Sequence, residues 1–226
     1  MRCRCGRRLW GCRSICMKSK LTTKHIVKPM KHFALLCLVL LSQGAQCNET
    51  TERISFGFTE AAPNGASVGG SFSAGETKSW SYTRTRSGIE AINRPAKTST
   101  EFQVEAYLIR VDQSFESTQK YLDMMLKNLE LGYAQSTKWQ KVRIALTPEV
   151  DKPRCVRGEL LLREKTTVSD EDAMFSEQHF LSCPLEKRAP FGVEVRYYHR
   201  YKGNARDNAF TQRAKSLLDS VELNDR

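Results

Sequence analysis

The stretch EFQVEAYLIR at residues 101–110, followed by STQKYLDMMLKNLELG at residues 117–132, decides the fold. In the first segment Phe102, Val104, Ala106 and Leu108 alternate with Gln103, Glu105 and Tyr107. Successive side chains of a strand point to opposite faces, so this pattern predicts a strand of about ten residues with one apolar face. In the second segment Leu122, Met125, Leu126 and Leu129 recur at helical spacing. They predict an amphipathic helix, capped by Asp112 or Ser114 and stopped at Gly132, that covers one face of a sheet.

Working outward, further strand patterns run from Lys138 to Leu146, closed by Pro148, and from Cys155 to Lys165. Two more run from Phe175 to Cys183, closed by Pro184, and from Val193 to Tyr201. A last helix opens near Asp207 or Asn208 and sets Phe210, Ala214, Leu217, Leu218 and Val221 on one stripe. Short connections between consecutive strands favour antiparallel pairing. The expectation is therefore an α+β domain, an antiparallel sheet of about five strands covered by two amphipathic helices. Its core is expected from the helix stripes with Val104, Leu108, Ile144, Leu160, Leu162, Phe180, Val193 and Val195. In element order, residues 101–223 resemble the Mog1/PsbP-like class of α+β domains found in exported accessory proteins. This resemblance rests on topology and carries over no functional residue.

Residues 48–100 read differently. They are rich in Gly, Ser, Thr and Asn, with Pro63, Asn64 and Gly65 followed by Gly69 and Gly70, and this composition predicts turns and loops. Short strands are expected near residues 53–58 and 78–84, without an independent core, as a Gly/Ser-rich N-terminal extension.

Residues 30–47 have the layout of a secretory signal peptide. Met30, Lys31 and His32 form a short positive region, Phe33 to Leu41 an apolar run, and Ser42 to Cys47 a small and polar close. The run is nine residues, whereas a spanning helix needs roughly 17–25. Cleavage is expected to leave a mature start between residues 45 and 48. Cys47 is a candidate lipidation site and membrane tether, although Gly44 and Gln46 fit the bacterial lipoprotein box only in part. Asn48, Glu49 and Thr50 match a glycosylation sequon. Residues 1–29, with Cys3, Cys5, Cys12 and Cys16 among clustered arginines, read as a leader extension or a mis-assigned start rather than a zinc tail.

Charge supports this division. The chain carries 36 Lys+Arg against 25 Asp+Glu, but residues 1–47 hold ten of the basic residues and no acidic one. The remainder is nearly balanced, 26 basic against 25 acidic, so bulk attraction to phosphate does not describe it and no nucleic-acid partner is expected. Localisation is expected to be exported, periplasmic or outer-membrane-tethered in a bacterium and otherwise secreted.

Beyond residue 47 only Cys155 and Cys183 remain. An even pair in an oxidising compartment predicts a disulfide, which takes both thiols out of nucleophilic and metal chemistry. No phosphate-binding loop, dinucleotide fingerprint, zincin or nucleophile-elbow motif occurs, and no cofactor or metal is expected.

Two candidate sites follow. Glu177, His179 and His199 would converge on one sheet face as an acid/base or metal cluster if their strands are neighbours, although alternation also places His199 among core residues. Glu194, Arg196, Tyr198 and Arg200 occupy the opposite face of the last strand, a charged and aromatic surface suited to an acidic partner, with cross-strand charge pairing as the plainer account. The functional expectation is a noncatalytic exported module binding a protein or envelope component. The alternatives are a hydrolase or metal-dependent enzyme using His179, His199 and Glu177, and a carrier of a small apolar ligand between sheet and helix.

Overall fold

The computed structural model describes residues 52–58, 68–85, 88–95, 100–111, 115–165, 169, 171–185 and 190–225. The leader extension, the signal-like segment, Cys47, the sequon at Asn48 and the expected helix caps Asp112 and Ser114 lie outside the described residues.

Among the described residues ten strands, two α-helices and a 3-10 helix at Gly75–Ser79 follow one another. The strands are β1 Arg53–Phe58, β2 Val68–Ser73, β3 Ser81–Thr85, β4 Gly88–Asn93, β5 Glu101–Arg110, β6 Trp139–Pro148, β7 Val156–Glu164, β8 Met174–Pro184, β9 Phe191–Lys202 and β10 Glu222–Asp225. Helix α1 is Thr118–Gln135 and α2 is Phe210–Asp219. The α+β class expected from sequence is present, but the strands form a seven-stranded sheet of order β3-β4-β5-β9-β8-β7-β6 and a three-stranded sheet of order β1-β2-β10, not a single sheet of about five. Every pairing among the described strands is antiparallel.

The two sheets have different sequence signatures. The five strands read from sequence are β5 to β9, contiguous in the large sheet, and β3 and β4 extend it. The small sheet rests on β2, where Gly69 and Gly70 predict a loop. A side chain at Gly69 would overlap the Phe56 carbonyl of β1, and one at Gly70 the Glu222 carbonyl of β10. Glycine here permits close backbone approach rather than a turn. Residues 222–225, beyond the last predicted element, complete this sheet against β2.

One face of the large sheet packs on the small sheet and α2. Phe56, Phe58, Val68 and Phe72 meet Ile89, Val104, Val193 and Val195 there, together with Phe210, Ala214, Leu217 and Leu218 of α2. The N-terminal strands thus share the main core. The other face carries α1, whose Tyr121, Leu122 and Met125 pack with Val156, Leu160 and Phe180. Leu108 and Ile144, both expected in the core, are only partly buried against these clusters. Ser117 caps α1 by accepting from the Lys120 amide at 3.2 Å. The helix passes through Gly132, which has open space around it, and ends at Ser136, where the amide reaches the Tyr133 carbonyl. One glycine costs an exposed helix only about 1 kcal/mol, too little to stop it there.

Cys155 and Cys183 form a disulfide, with Cα atoms 4.2 Å apart. It ties the start of β7 to β8, whose neighbouring pair is Val156 with Ser182.

Candidate functional site

The register of β8 with β9 sets Glu177 directly opposite His199 and His179 opposite Tyr197, so the three acid/base candidates do share a face. That face is roofed by α2. Phe210, its first residue, stands with its ring centroid 5.3 Å from His179 and 5.0 Å from His199. Glu177 is 2% exposed and receives two hydrogen bonds from Arg206, at 2.7 and 2.8 Å, the second guanidinium nitrogen also donating to Thr211. His179 Nε2 lies 3.5 Å from Glu177 Oε1, and its Nδ1 lies 3.7 Å from Glu159. Burial alone would raise the Glu177 carboxyl, but hydrogen bonds from His179 and Arg206 and the Arg206 charge hold it down at about 2.

His199 is fully buried, stacked on Phe102 at 4.6 Å between Tyr201 and Phe210, and neither ring nitrogen has a hydrogen-bond partner. Burial pushes its imidazole down to about 4, against the pull of Glu177 and Asp207, while Arg213 and Arg206 add to the depression. The cluster is thus a fixed carboxylate bound to an arginine, one histidine beside it and one sealed among rings. No group of three metal-ligating side chains occurs among the described residues.

On the opposite face, β5 and β9 align their polar residues in cross-strand pairs: Glu101 with Arg200, Gln103 with Tyr198, Glu105 with Arg196 and Tyr107 with Glu194. All four sequence candidates for partner binding lie on this one ladder. Their exposure differs. The Glu194 and Arg196 side chains are 6% and 15% exposed and paired with each other, whereas Arg200 is 42% exposed. Arg196 also donates to Gln178 and spreads over the Phe180, Tyr198 and Tyr107 rings at 5.1 to 5.9 Å. Although burial opposes it, the Glu194 charge and the two phenols hold the Arg196 guanidinium above its ordinary range. Tyr107 donates to Glu194 and Tyr198 to Glu105, the latter at 2.7 Å. These are desolvated pairs that organise the sheet, with Arg196 Nε left without a hydrogen-bond partner, rather than a solvated charged surface.

The open part of the ladder is the Arg200 end. There a cleft of about 400 Å³ lies between the ends of β5, β6, β7, β8 and β9, lined by Arg94, Lys138, Trp139 and Arg200 with Glu101 and Glu164. Arg94 and Arg200 share the one carboxylate of Glu101, at 2.6 and 3.2 Å. Lys138 sits over the Trp139 ring at 5.2 Å, and no carboxylate among the described residues pairs with it. Sequence reasoning finds Arg200 but not Arg94, Lys138 or Trp139. The available signal is the polar set Glu101, Gln103, Glu105 and Tyr107, whose alternation points first to the apolar face behind it.

No protein-family model matches the chain, and no curated protein matches it in sequence.

Proposed function

We propose that the protein is an exported, noncatalytic binding module that engages an acidic group of a protein or envelope partner at the Arg200 end of the polar sheet face. The observation that carries this reading is the cation surplus of that cleft. Three cations, Arg94, Lys138 and Arg200, meet two carboxylates there, Glu101 and Glu164, and the two guanidiniums divide Glu101 while the Lys138 ammonium rests on an indole, a balance that favours an incoming carboxylate or similar acid. Export is supported by the Cys155–Cys183 disulfide, since such bonds persist in oxidising compartments.

The rival acid/base reading would require Glu177, His179 and His199 to meet a substrate. Against it stand the Arg206 clamp on Glu177 and the ring packing around His199. A quantitative capture experiment from envelope extract, with the exported form as bait, tests the proposal. Arg200→Gln with Lys138→Glu is expected to lose capture of the partner at matched folded fraction, because Lys138 is exposed and glutamine places no like charge opposite Glu101. His179→Gln with His199→Gln is expected to retain it once the folded fraction is matched. The reverse pattern transfers function to the histidine face.

A further inference from the structure

The seven-stranded sheet has two open edges, β3 and β6. An edge strand turns unpaired N–H and C=O groups outward, and proteins guard such edges with bulges, lysines, prolines or cover. Strand β6 is guarded by each of these. Its register shifts between Lys141 and Arg143, both of which bring charge to the edge, and Pro148 closes it. Helix α1 packs on its Ile144 and Leu146. Strand β3 has none of these devices. Ser81–Thr85 reads Ser-Tyr-Thr-Arg-Thr, its pairing with β4 is unbroken from Ser81 with Ile92 to Thr85 with Gly88, and all five residues are exposed. Five residues is an ordinary strand length, and Thr and Tyr favour extended backbone. The small sheet ends instead on β10, four residues long, and on β1, which carries Gly57.

The side chains of β3 decide what can pair with it. Like charges directly opposite each other destabilise a sheet, whereas Thr–Thr pairs and a guanidinium against an aromatic ring favour it. A second copy of β3, antiparallel about a two-fold axis at Thr83, sets Thr83 against Thr83, Ser81 against Thr85 and Tyr82 against Arg84. Arg84 is the one charge of the strand, and in this register each copy of it meets a Tyr82 ring. Moving the axis to Arg84 sets two guanidiniums face to face. The Tyr82 ring is held in advance, since its hydroxyl donates to the Thr77 carbonyl and lies 3.1 Å from the Thr77 hydroxyl in the 3-10 helix.

We infer that β3 is a self-association edge, on which a second copy of this chain adds its own β3 antiparallel about Thr83 and joins the two large sheets. The contact is isologous, with the same strand used by both copies, so it closes at two. An edge of five residues buries little area, and the dimer is weak and concentration-dependent rather than permanent. No residue of β3 lines the cation cleft, so this inference and the proposed partner site can fail separately.

Sedimentation velocity of the exported protein, run from low to high micromolar concentration, is expected to show a monomer–dimer equilibrium. Residue 83 meets its own copy at the axis. Thr83→Lys and Thr83→Glu are therefore each expected to raise the dimerisation midpoint roughly tenfold or more, with native circular dichroism, since like-charge juxtaposition is costly. Mixing the two variants is expected to restore a dimer containing one copy of each. Glu90 stands opposite Thr83 on β4, and if Thr83→Glu misfolds for that reason the ends of the register serve the same purpose. Ser81→Lys with Thr85→Lys then repels its own copy, whereas Ser81→Lys with Thr85→Glu pairs with it. A wild type that stays monomeric, a folded lysine variant that dimerises as the wild type does, or a charge-matched pair that stays monomeric would each overturn the inference.

Discussion

His199 is the residue whose environment has the largest consequence for the molecule. A histidine ring with an N–H and a lone pair both unpartnered is tolerated only in its neutral form, so the folded chain resists protonating it down to about pH 4, while the unfolded chain accepts the proton near 6.5. The unfolded state thus binds more protons between these values. Stability is full above pH 6.5 and falls as the pH drops toward 4. Each tenfold difference in proton affinity between the folded and unfolded chain is worth about 1.36 kcal/mol, so the loss reaches about 3 kcal/mol. Glu177 contributes separately and lower on the scale. Its depressed carboxyl adds stability above about pH 4.5 that disappears as the pH falls toward 2. Urea midpoints are expected to fall as the pH drops from 7 to 4 for the wild type and to stay flatter in His199→Phe, which keeps the stack on Phe102. Titration of the His199 ring near its ordinary value by NMR would refute this account.

At the scale of elements, the tightest fit on the α1 side is between β7 and β8. Gly158 pairs with Phe180, and a methyl group at Gly158 would overlap the ring, which is fully buried and also lies beneath Arg196. Gly158→Ala is expected to cost about 1–3 kcal/mol in chemical denaturation, the range for overpacking a filled core. A neutral result would mean that the ring has a second resting place. Gly158 is legible in sequence as part of a strand but not as the seat of an aromatic ring. The same distinction holds for the other elements. Strands β5 to β9 and both helices are visible because half-buried elements write their period into the chain. Strands β2 and β4 are not, because close backbone approach selects glycine at positions 69, 70 and 88, and glycine reads as a turn; β10 is not, because four residues are too few to show a period. At the candidate site the residues of β9 are legible from alternation. The cleft completed by Arg94, Lys138 and Trp139 is not, because it joins strand ends far apart in sequence.

For the whole molecule, the division of charge is a prediction about processing. With the basic leader removed, the remaining residues are nearly neutral in sum, so export should change the protein's ion-exchange behaviour as well as its length. Mass spectrometry of the native protein is expected to place the N-terminus between residues 45 and 48; a chain beginning at Met1 would defeat both the export reading and the charge division. The pairing of β10 with β2 bears on the timing of biogenesis. Ser71 lies opposite Glu222, about 150 residues later in synthesis, which at roughly 5–20 residues per second means a wait on the order of ten seconds. Until then the middle strand of the small sheet has one edge without its partner, and the aromatic residues of β1 and β2 lack the C-terminal contribution to their shared core. For a protein exported as proposed, a small sheet that cannot close until residues 222–225 emerge would keep that part of the nascent chain threadable through a translocation channel.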